Sequence, residues 1–319
     1  MKEIVVLSGK GGTGKTSLTA CFAAMAHRAV IADCDVDAAD LHLLFAPRPL
    51  ERHEFLGGRT AAVREQDCSG CGGCAEVCRF GAIAAGRAAD GERVFRVDPL
   101  GCEGCGVCVR LCPAGAIDFP ERVCGAWMVS ETRCGTLFHA QLGTAAENSG
   151  RLVSLVRREA RRLAERSGAG LLLVDGPPGI GCPVIASLTG ADLALVVTEP
   201  TLSGEHDLQR VVALASHFQV PVAVCVNKWD INGEVTERIE RAARRLGGHV
   251  VGRIGYDAAV VRAQIEGRTA IEAETPSAGA IAAVWRRVRR LADEEPAVPC
   301  RPVTVAGRKL RSAAEGPAS

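Results

Sequence analysis

The sequence is poor in aromatic residues, at 4 %, with one tyrosine and three tryptophans. That leaves no basic–aromatic patch of the kind that stacks nucleic-acid bases. It also lacks a surplus of charge of either sign, with a formal net charge of +1. Bulk electrostatics therefore select neither nucleic acid nor acidic lipid as a partner. Long apolar runs are missing too: none reaches membrane-spanning length. The first residues enter a short apolar strand without a charged segment and long apolar core before it, so no export leader is expected and a cytoplasmic location is. Fifteen cysteines, in contrast, are many. Without an export signal they argue against a disulfide framework and for metal or redox chemistry in a reducing compartment.

Against that background the stretch Ser8-Gly-Lys-Gly-Gly-Thr-Gly-Lys-Thr16 stands out. It follows the apolar run Ile4–Leu7 and precedes a helix-like segment from Ser17 to Arg28. Strand, glycine-rich loop and helix form the context of a phosphate-binding loop. Gly9, Gly11, Gly12 and Gly14, with Thr13, let backbone N–H groups surround phosphate oxygens, and the helix N-terminus near Ser17 adds its positive end. Lys15 reaches the β- and γ-phosphates, and the Thr16 hydroxyl holds Mg²⁺. Residues 29–33 read as a second buried strand, followed by Asp33, Asp35, Asp37 and Asp40. Acids here sit over the γ-phosphate and its metal, while Asp37 and Asp40 also suit a polar loop or a cap for the apolar segment Leu41–Phe45. Leu171–Val174 suits a central parallel strand. It ends in Asp175-Gly-Pro-Pro-Gly179. An Asp there binds Mg²⁺ through water, and Gly179 offers its N–H to the γ-phosphate.

An internal repeat separates these motifs. Cys68, Cys71, Cys74 and Cys78 form one C-x₂-C-x₂-C-x₃-C run, and Cys102, Cys105, Cys108 and Cys112 a second. This is the spacing of bacterial two-cluster ferredoxins, in which the fourth cysteine of each run ligates the other cluster. One [4Fe–4S] cluster is then expected on Cys68, Cys71, Cys74 and Cys112, and the other on Cys102, Cys105, Cys108 and Cys78. Pro113 follows the second run as usual, whereas Arg79 takes the corresponding place after the first. Zinc would take four ligands in two pairs, not two runs of four.

The rest of the chain reads more plainly. Gly57-Gly58 suggests a turn, as within a hairpin. Residues 122–142 read as a hairpin or two strands, and 151–166 as a helix whose arginines form a solvated face. Helices are expected over 203–217, 234–246 and 278–293, with strands over 191–198, 222–226 and 250–254. Asn227 and Lys228, in Asn-Lys-Trp-Asp230, suit a nucleotide-base contact. Asn227 is the choice for adenine, although N-K-x-D also resembles the guanine motif of GTPases. The tail beyond residue 293 reads as disordered.

Lys10, with Lys15, makes the loop resemble the deviant Walker A of the MinD/ParA/Mrp/nitrogenase-iron-protein ATPases. The Asp175–Gly179 segment resembles the switch II of the same family. The chain as a whole, to about residue 293, is similar to MinD-superfamily ATPases carrying an inserted ferredoxin domain. The resemblance implies an α/β P-loop NTPase fold (SIMIBI/MinD-like), a mostly parallel sheet flanked by helices, with an inserted α+β bacterial 2[4Fe–4S] ferredoxin domain. The ATPase domain would span 1–59 and 121–293, the insert 60–120, and the tail 294–319. The cofactors would be ATP, Mg²⁺ and two [4Fe–4S] clusters. The resemblance further implies a nucleotide-dependent homodimer in which Lys10 touches the partner's nucleotide, Asp35 orients the attacking water and Asp33 lies nearer the metal. Cys182 resembles the cysteine by which the nitrogenase iron protein bridges a cluster across its dimer, with Cys124 or Cys134 as the second thiolate here. The expected role is ATP hydrolysis coupled to electron transfer to an unknown protein partner. A carrier of metal–sulfur centres and a spatial-positioning ATPase are the alternatives. No nucleic-acid or membrane partner is expected, since the basic terminal helix suits docking on its own domain.

Overall fold

The computed structural model describes residues 1–26, 28–143 and 148–294. The expected tail therefore lies outside the described residues, except for Glu294.

In chain order, β1 (Lys2–Ser8) leads through the glycine-rich loop into α1 (Lys15–Met25), then β2 (Ala29–Asp33), α2 (Leu41–Phe45) and the long β3 (Arg48–Arg59). Short elements follow: β4 (Ala62–Val63), α3 (Gly73–Glu76), β5 (Ile83–Arg87), β6 (Arg93–Val97), α4 (Val107–Leu111) and β7 (Ile117–Asp118). The chain returns through β8 (Glu121–Thr132), β9 (Gly135–Leu142), α5 (Ser149–Ser167), β10 (Leu171–Pro178), α6 (Cys182–Leu188) and β11 (Leu193–Thr198). It ends with α7 (Leu202–His217), β12 (Val222–Asn227), α8 (Gly233–Arg245), β13 (His249–Ile254), α9 (Ala258–Ile265) and α10 (Ala278–Asp293).

Nine strands form the main sheet in the order β13-β12-β11-β1-β10-β2-β9-β8-β3. Pairing is parallel from β13 to β9 and antiparallel through β8 and β3. The central strands are continuous apolar runs because both faces are covered. Val5 and Leu7 of β1 point to one core with Leu152, Val156 and Leu188. Ile4 and Val6 point to the other with Phe22, Trp285 and Val288. The α/β fold with a mostly parallel sheet flanked by helices is thus as the sequence led us to expect. Phe22 and Trp285 stack with ring centroids 4.8 Å apart, which fixes α10 against α1. The apolar stripe of α10 is spent on this core, leaving its arginines outward. Among the described residues no helix is long and apolar enough to cross a membrane.

Two expectations need correction. Gly57 and Gly58 make no turn: they lie within β3, paired along its length with β8. Packing explains Gly57, since a Cβ there would come within 2.7 Å of the Cys124 Cβ, whereas a Cβ on Gly58 would meet open space. The arginines of α5 are also not uniformly solvated. Arg157 is only 8 % exposed, because the face that carries Leu152, Val153, Val156 and Ala160 extends to it.

Residues 60–120 leave the sheet edge from β3 and return to it on β8. They hold two two-stranded sheets, β4–β7 and β5–β6, and a separate small core of Ala61, Ile83, Phe95, Cys108 and Ile117. Cys68, Cys74, Cys78, Cys102 and Cys112 pack against that core.

Candidate nucleotide site and cysteine cavity

The parallel strands place the ends of β1, β2 and β10 side by side, so the loops that follow them converge. Asp175 pairs in register with Asp33 across β10 and β2. Thr16 Oγ1 donates to Asp175 Oδ2 at 2.7 Å, and Thr19 Oγ1 donates to Oδ1 at 2.8 Å. Lys15 Nζ lies 3.0 Å from Asp175 Oδ1 and 3.6 Å from Asp35 Oδ2. Burial alone would lower the Lys15 pKa, but attraction to Asp175, Asp35 and Asp33 outweighs it and holds the ammonium charged. Burial raises the Asp35 pKa, opposed by Lys15. Asp33 is pushed well up, first by burial and then by the neighbouring Asp175.

Asp33 performs a task its sequence position did not reveal. Its Oδ1 accepts from the Asp35 amide and its Oδ2 from the Leu41 amide, each at 3.2 Å. It therefore shapes the loop that presents Asp35. Asp40 makes no side-chain capping bond to α2; its backbone carbonyl accepts from the Leu43 N–H at 3.1 Å.

The loop itself is tightly cradled. Gly14 has φ of +88°, and a Cβ there would lie 2.4 Å from Asn227 Nδ2. A Cβ on Gly9 would lie 2.2 Å from the Asp207 Cβ of α7. The Thr13 hydroxyl is buried with no hydrogen-bond partner. An oxyanion seated in the loop suits that unsatisfied group. Gly11, Gly12, Thr13, Gly14, Lys15, Thr16 and Ser17 line one side of a cleft of about 790 Å³, with Asp35, Asp37, Asp40 and Pro178 opposite. A second cleft of about 190 Å³, lined by Gly12, Gly14, Ser17, Asn227, Tyr256 and Asp257, adjoins it through Gln264.

Several expected site residues have other partners here. Lys10 Nζ forms a salt bridge with Glu199 Oε1 at 2.6 Å and approaches Thr201 and Ser203, all within its own chain. Lys228 Nζ donates to Gly12 O at 2.9 Å and to Glu199 Oε2 at 3.2 Å. Glu199 thus restrains both lysines. Its burial favours protonation, yet hydrogen bonds from Lys10 and Lys228 win and lower its pKa. The Gly179 N–H donates to Ser8 O at 2.9 Å, so it is engaged within the chain. Asn227 donates to Thr13 O at 2.8 Å, bracing the loop from the base side. Asp230 Oδ1 accepts from the Tyr256 amide at 2.7 Å. Glu199, Thr19, Tyr256 and Gln264 escaped sequence reasoning. Only Glu199 carried a signal, as an acid at the end of a buried strand.

The cysteines fall into two groups. Cys68, Cys71, Cys74 and Cys112 line one small cavity with Phe95, Pro113 and Ile117. These are three cysteines of the first run and the last of the second. The Ala116 N–H donates to Cys112 Sγ at 3.4 Å. The Cys71 thiol is held below its usual pKa by the Gly73 amide and the Ser69 hydroxyl. Of the second set, Cys108 is buried, Cys78 and Cys102 are half-buried and Cys105 is exposed. Among the described residues no three His, Cys, Asp or Glu side chains are placed to hold a single metal ion. Cys182 is exposed at the start of α6, but Cys124 and Cys134 are buried in the two main cores. Neither offers an exposed thiol to pair with Cys182 in this structure.

Comparison with known proteins places this geometry. Residues 4–270 match the model of the CobQ/CobB/MinD/ParA nucleotide binding domain. The uncharacterized protein MJ0578 of Methanocaldococcus jannaschii is 33 % identical over 72 % of this chain and 79 % of its own length. Among solved structures, the cell division ATPase MinD of Pyrococcus furiosus superposes with a TM-score of 0.54 at 17 % identity, covering 91 % of this chain and 99 % of that one. The septum site-determining protein MinD of Pyrococcus horikoshii, complexed with Mg-ADP, gives a TM-score of 0.54 at 17 % identity, over 92 % of this chain and 97 % of that one. With its glycine-rich loop, converging aspartates and parallel sheet, the chain belongs to the CobQ/CobB/MinD/ParA family of nucleotide-binding proteins.

Proposed function

We propose that the protein is an ATP-binding and ATP-hydrolysing iron–sulfur protein, in which nucleotide-dependent dimerisation is coupled to electron transfer through two [4Fe–4S] clusters. The observation that carries the redox half is the shared cavity of Cys68, Cys71, Cys74 and Cys112, residues drawn from both cysteine runs. The interleaving follows the ligand exchange of two-cluster ferredoxins. Residues 60–120 then serve as the ferredoxin-like domain, inserted in an ATPase domain of 1–59 and 121–293. Cys102, Cys105, Cys108 and Cys78 hold the second cluster. When bound, such clusters each supply a one-electron carrier with thiolate ligands.

The nucleotide half rests on the loop and its acids. Lys15 neutralises phosphate charge from a position already fixed by Asp175 and Asp35. The Thr16 hydroxyl and Asp175, 2.7 Å apart, form the pair suited to Mg²⁺, with Asp33 beside them holding the loop. Asp35 orients the attacking water. The adenine lies in the Asn227–Tyr256 cleft. Two contacts must change on triphosphate binding. Gly179 gives up Ser8 O to meet the γ-phosphate, and Lys10 leaves Glu199 to reach the partner's nucleotide. Both changes exchange one charge-assisted or backbone bond for another, so the switch lies close to balance.

The testing experiment is the ATPase rate under anaerobic conditions, with clusters oxidised and then reduced, and Lys15→Ala as the blank. A several-fold change with redox state is expected. An identical rate in both states, with the blank inactive, would remove the coupling and leave the clusters as sensors or cargo.

A further inference from the structure

A second polar constellation lies at the opposite end of the sheet from the glycine-rich loop, where β1 begins. Glu3, the second residue of β1, is fully buried. Its two carboxylate oxygens pair with Arg157 and Arg161 of α5. Arg157 Nη1 also donates to Ala186 O at 3.0 Å and Thr189 O at 2.6 Å, at the C-terminal end of α6. Arg161 donates to Gly190 O at 3.1 Å. These contacts leave positive charge over. Two guanidinium groups share a single carboxylate, and Arg157 Nη2 is buried with no hydrogen-bond partner. Arg158, on the same stretch of helix, has only Glu159, which Arg162 shares.

The surplus is concentrated in a place. Ser154, Arg157, Arg158 and Arg161 line a cleft of about 430 Å³ with Ala186 and Thr189. Among the described residues no carboxylate lines it. Arg158 and Arg161 keep 56 % and 39 % of their side chains exposed, so their guanidinium groups can meet an oxyanion in the cleft, while Arg157 adds its charge from beneath. Paired guanidinium forks match the oxygens of tetrahedral oxyanions.

We propose that this cleft is an anion-binding site for a small molecule bearing a phosphate-type oxyanion, held by Arg157, Arg158 and Arg161. It is separate from the nucleotide site. Its floor is the end of α6, the helix that follows the Asp175–Gly179 segment, so an occupant braces α6 at the end away from that segment. The site stands independently of the redox reading above.

Inorganic phosphate is the probe, titrated into the full chain at constant ionic strength balanced with chloride. Hydrogen–deuterium exchange resolves where it binds, so occupation of the glycine-rich loop reads out on different peptides. We expect saturable protection of 149–167 and 182–190. Arg158→Glu, an exposed position, should weaken that protection at least tenfold while leaving the response of the loop peptides unchanged. Arg161→Gln, which removes the second exposed guanidinium lining the cleft, should weaken it as well, with circular dichroism as the folding check. If 149–167 and 182–190 do not respond to phosphate, or if their protection survives Arg158→Glu, the site does not exist.

Discussion

Replacing Lys15 with Ala should cost more than nucleotide binding. Lys15 Nζ is 6 % exposed and sits within 3.0 Å of Asp175, itself 1 % exposed, with Asp35 at 3.6 Å. Asp33 is buried beside them. Removing the ammonium leaves three carboxylates facing one another without their cation. Breaking a buried ion pair from one side costs about 3–5 kcal/mol. The threonine hydroxyls on Asp175 and the amides on Asp33 remain, so the lower end, about 3 kcal/mol, is the expected loss near pH 7.5. The pH dependence gives the argument its sign. Asp33 and Asp35 already have raised pKa values, and loss of Lys15 raises them further. A carboxylate whose folded pKa exceeds its unfolded value gives stability that is present below the unfolded pKa and is lost as pH rises through the folded pKa. The deficit of the variant should therefore be largest at neutral pH and shrink towards pH 4. Urea denaturation of nucleotide-free wild type and Lys15→Ala, followed by circular dichroism at pH 7.5 and near 4.5, measures it. Added Mg²⁺ should restore part of the loss at pH 7.5. A variant as stable as wild type at pH 7.5, or a deficit that grows on acidification, would refute the electrostatic account.

Other outcomes follow from neighbouring parts of the structure. Glu199→Gln removes the common partner of Lys10 and Lys228; at about 1 kcal/mol for a partly exposed pair, ATP-dependent self-association measured by ultracentrifugation should tighten about fivefold. Cys112→Ser should lower anaerobically measured iron from about eight towards about four per chain, with Cys182→Ser leaving it unchanged. His139, buried and beside His42, has its pKa lowered to about 4 from 6.5. Because the unfolded chain takes up a proton first, stability should fall by about 2–3 kcal/mol as pH drops from 6.5 to 4, and His139→Gln should flatten that limb of a denaturation–pH profile. Gly9→Val should prevent nucleotide binding in an equilibrium assay, because its side chain would collide with Asp207.

Much of the nucleotide site was legible because its signals are local. A lysine and a threonine at the end of a glycine-rich loop need only the next helix to be placed, and α1 starts at Lys15. The strands of the central sheet are apolar on both faces, so β1, β2, β10, β11 and β12 announced themselves. What escaped depends on contacts between residues distant in the chain. Glu199 meets Lys10 only because β11 lies beside β1. The hold of Asp33 on the Asp35 and Leu41 amides was hidden because nothing in its sequence neighbourhood shows that Leu41 folds back onto it. Gly57 and Gly58 read as a turn because a pair of glycines usually marks one, and the need for space beside Cys124 is a tertiary fact. Arg157 was assigned to solvent because helical periodicity ranks arginine as polar, whereas Glu3, far away in sequence, draws it under the sheet.

The ribbon of β3 and β8 has a consequence for how the chain was put together. Arg59 and Glu121 are register partners, so the residues that bound segment 60–120 are neighbours across two adjacent strands. Two antiparallel strands ending side by side can be closed by a turn of two residues. Replacing the whole cysteine-bearing segment by Asn-Gly is therefore expected to leave the strands of the main sheet in register. The segment occupies the tip of the β3–β8 hairpin. Such an attachment lets a cysteine module be gained, lost or exchanged in one step while the sheet beneath remains the same.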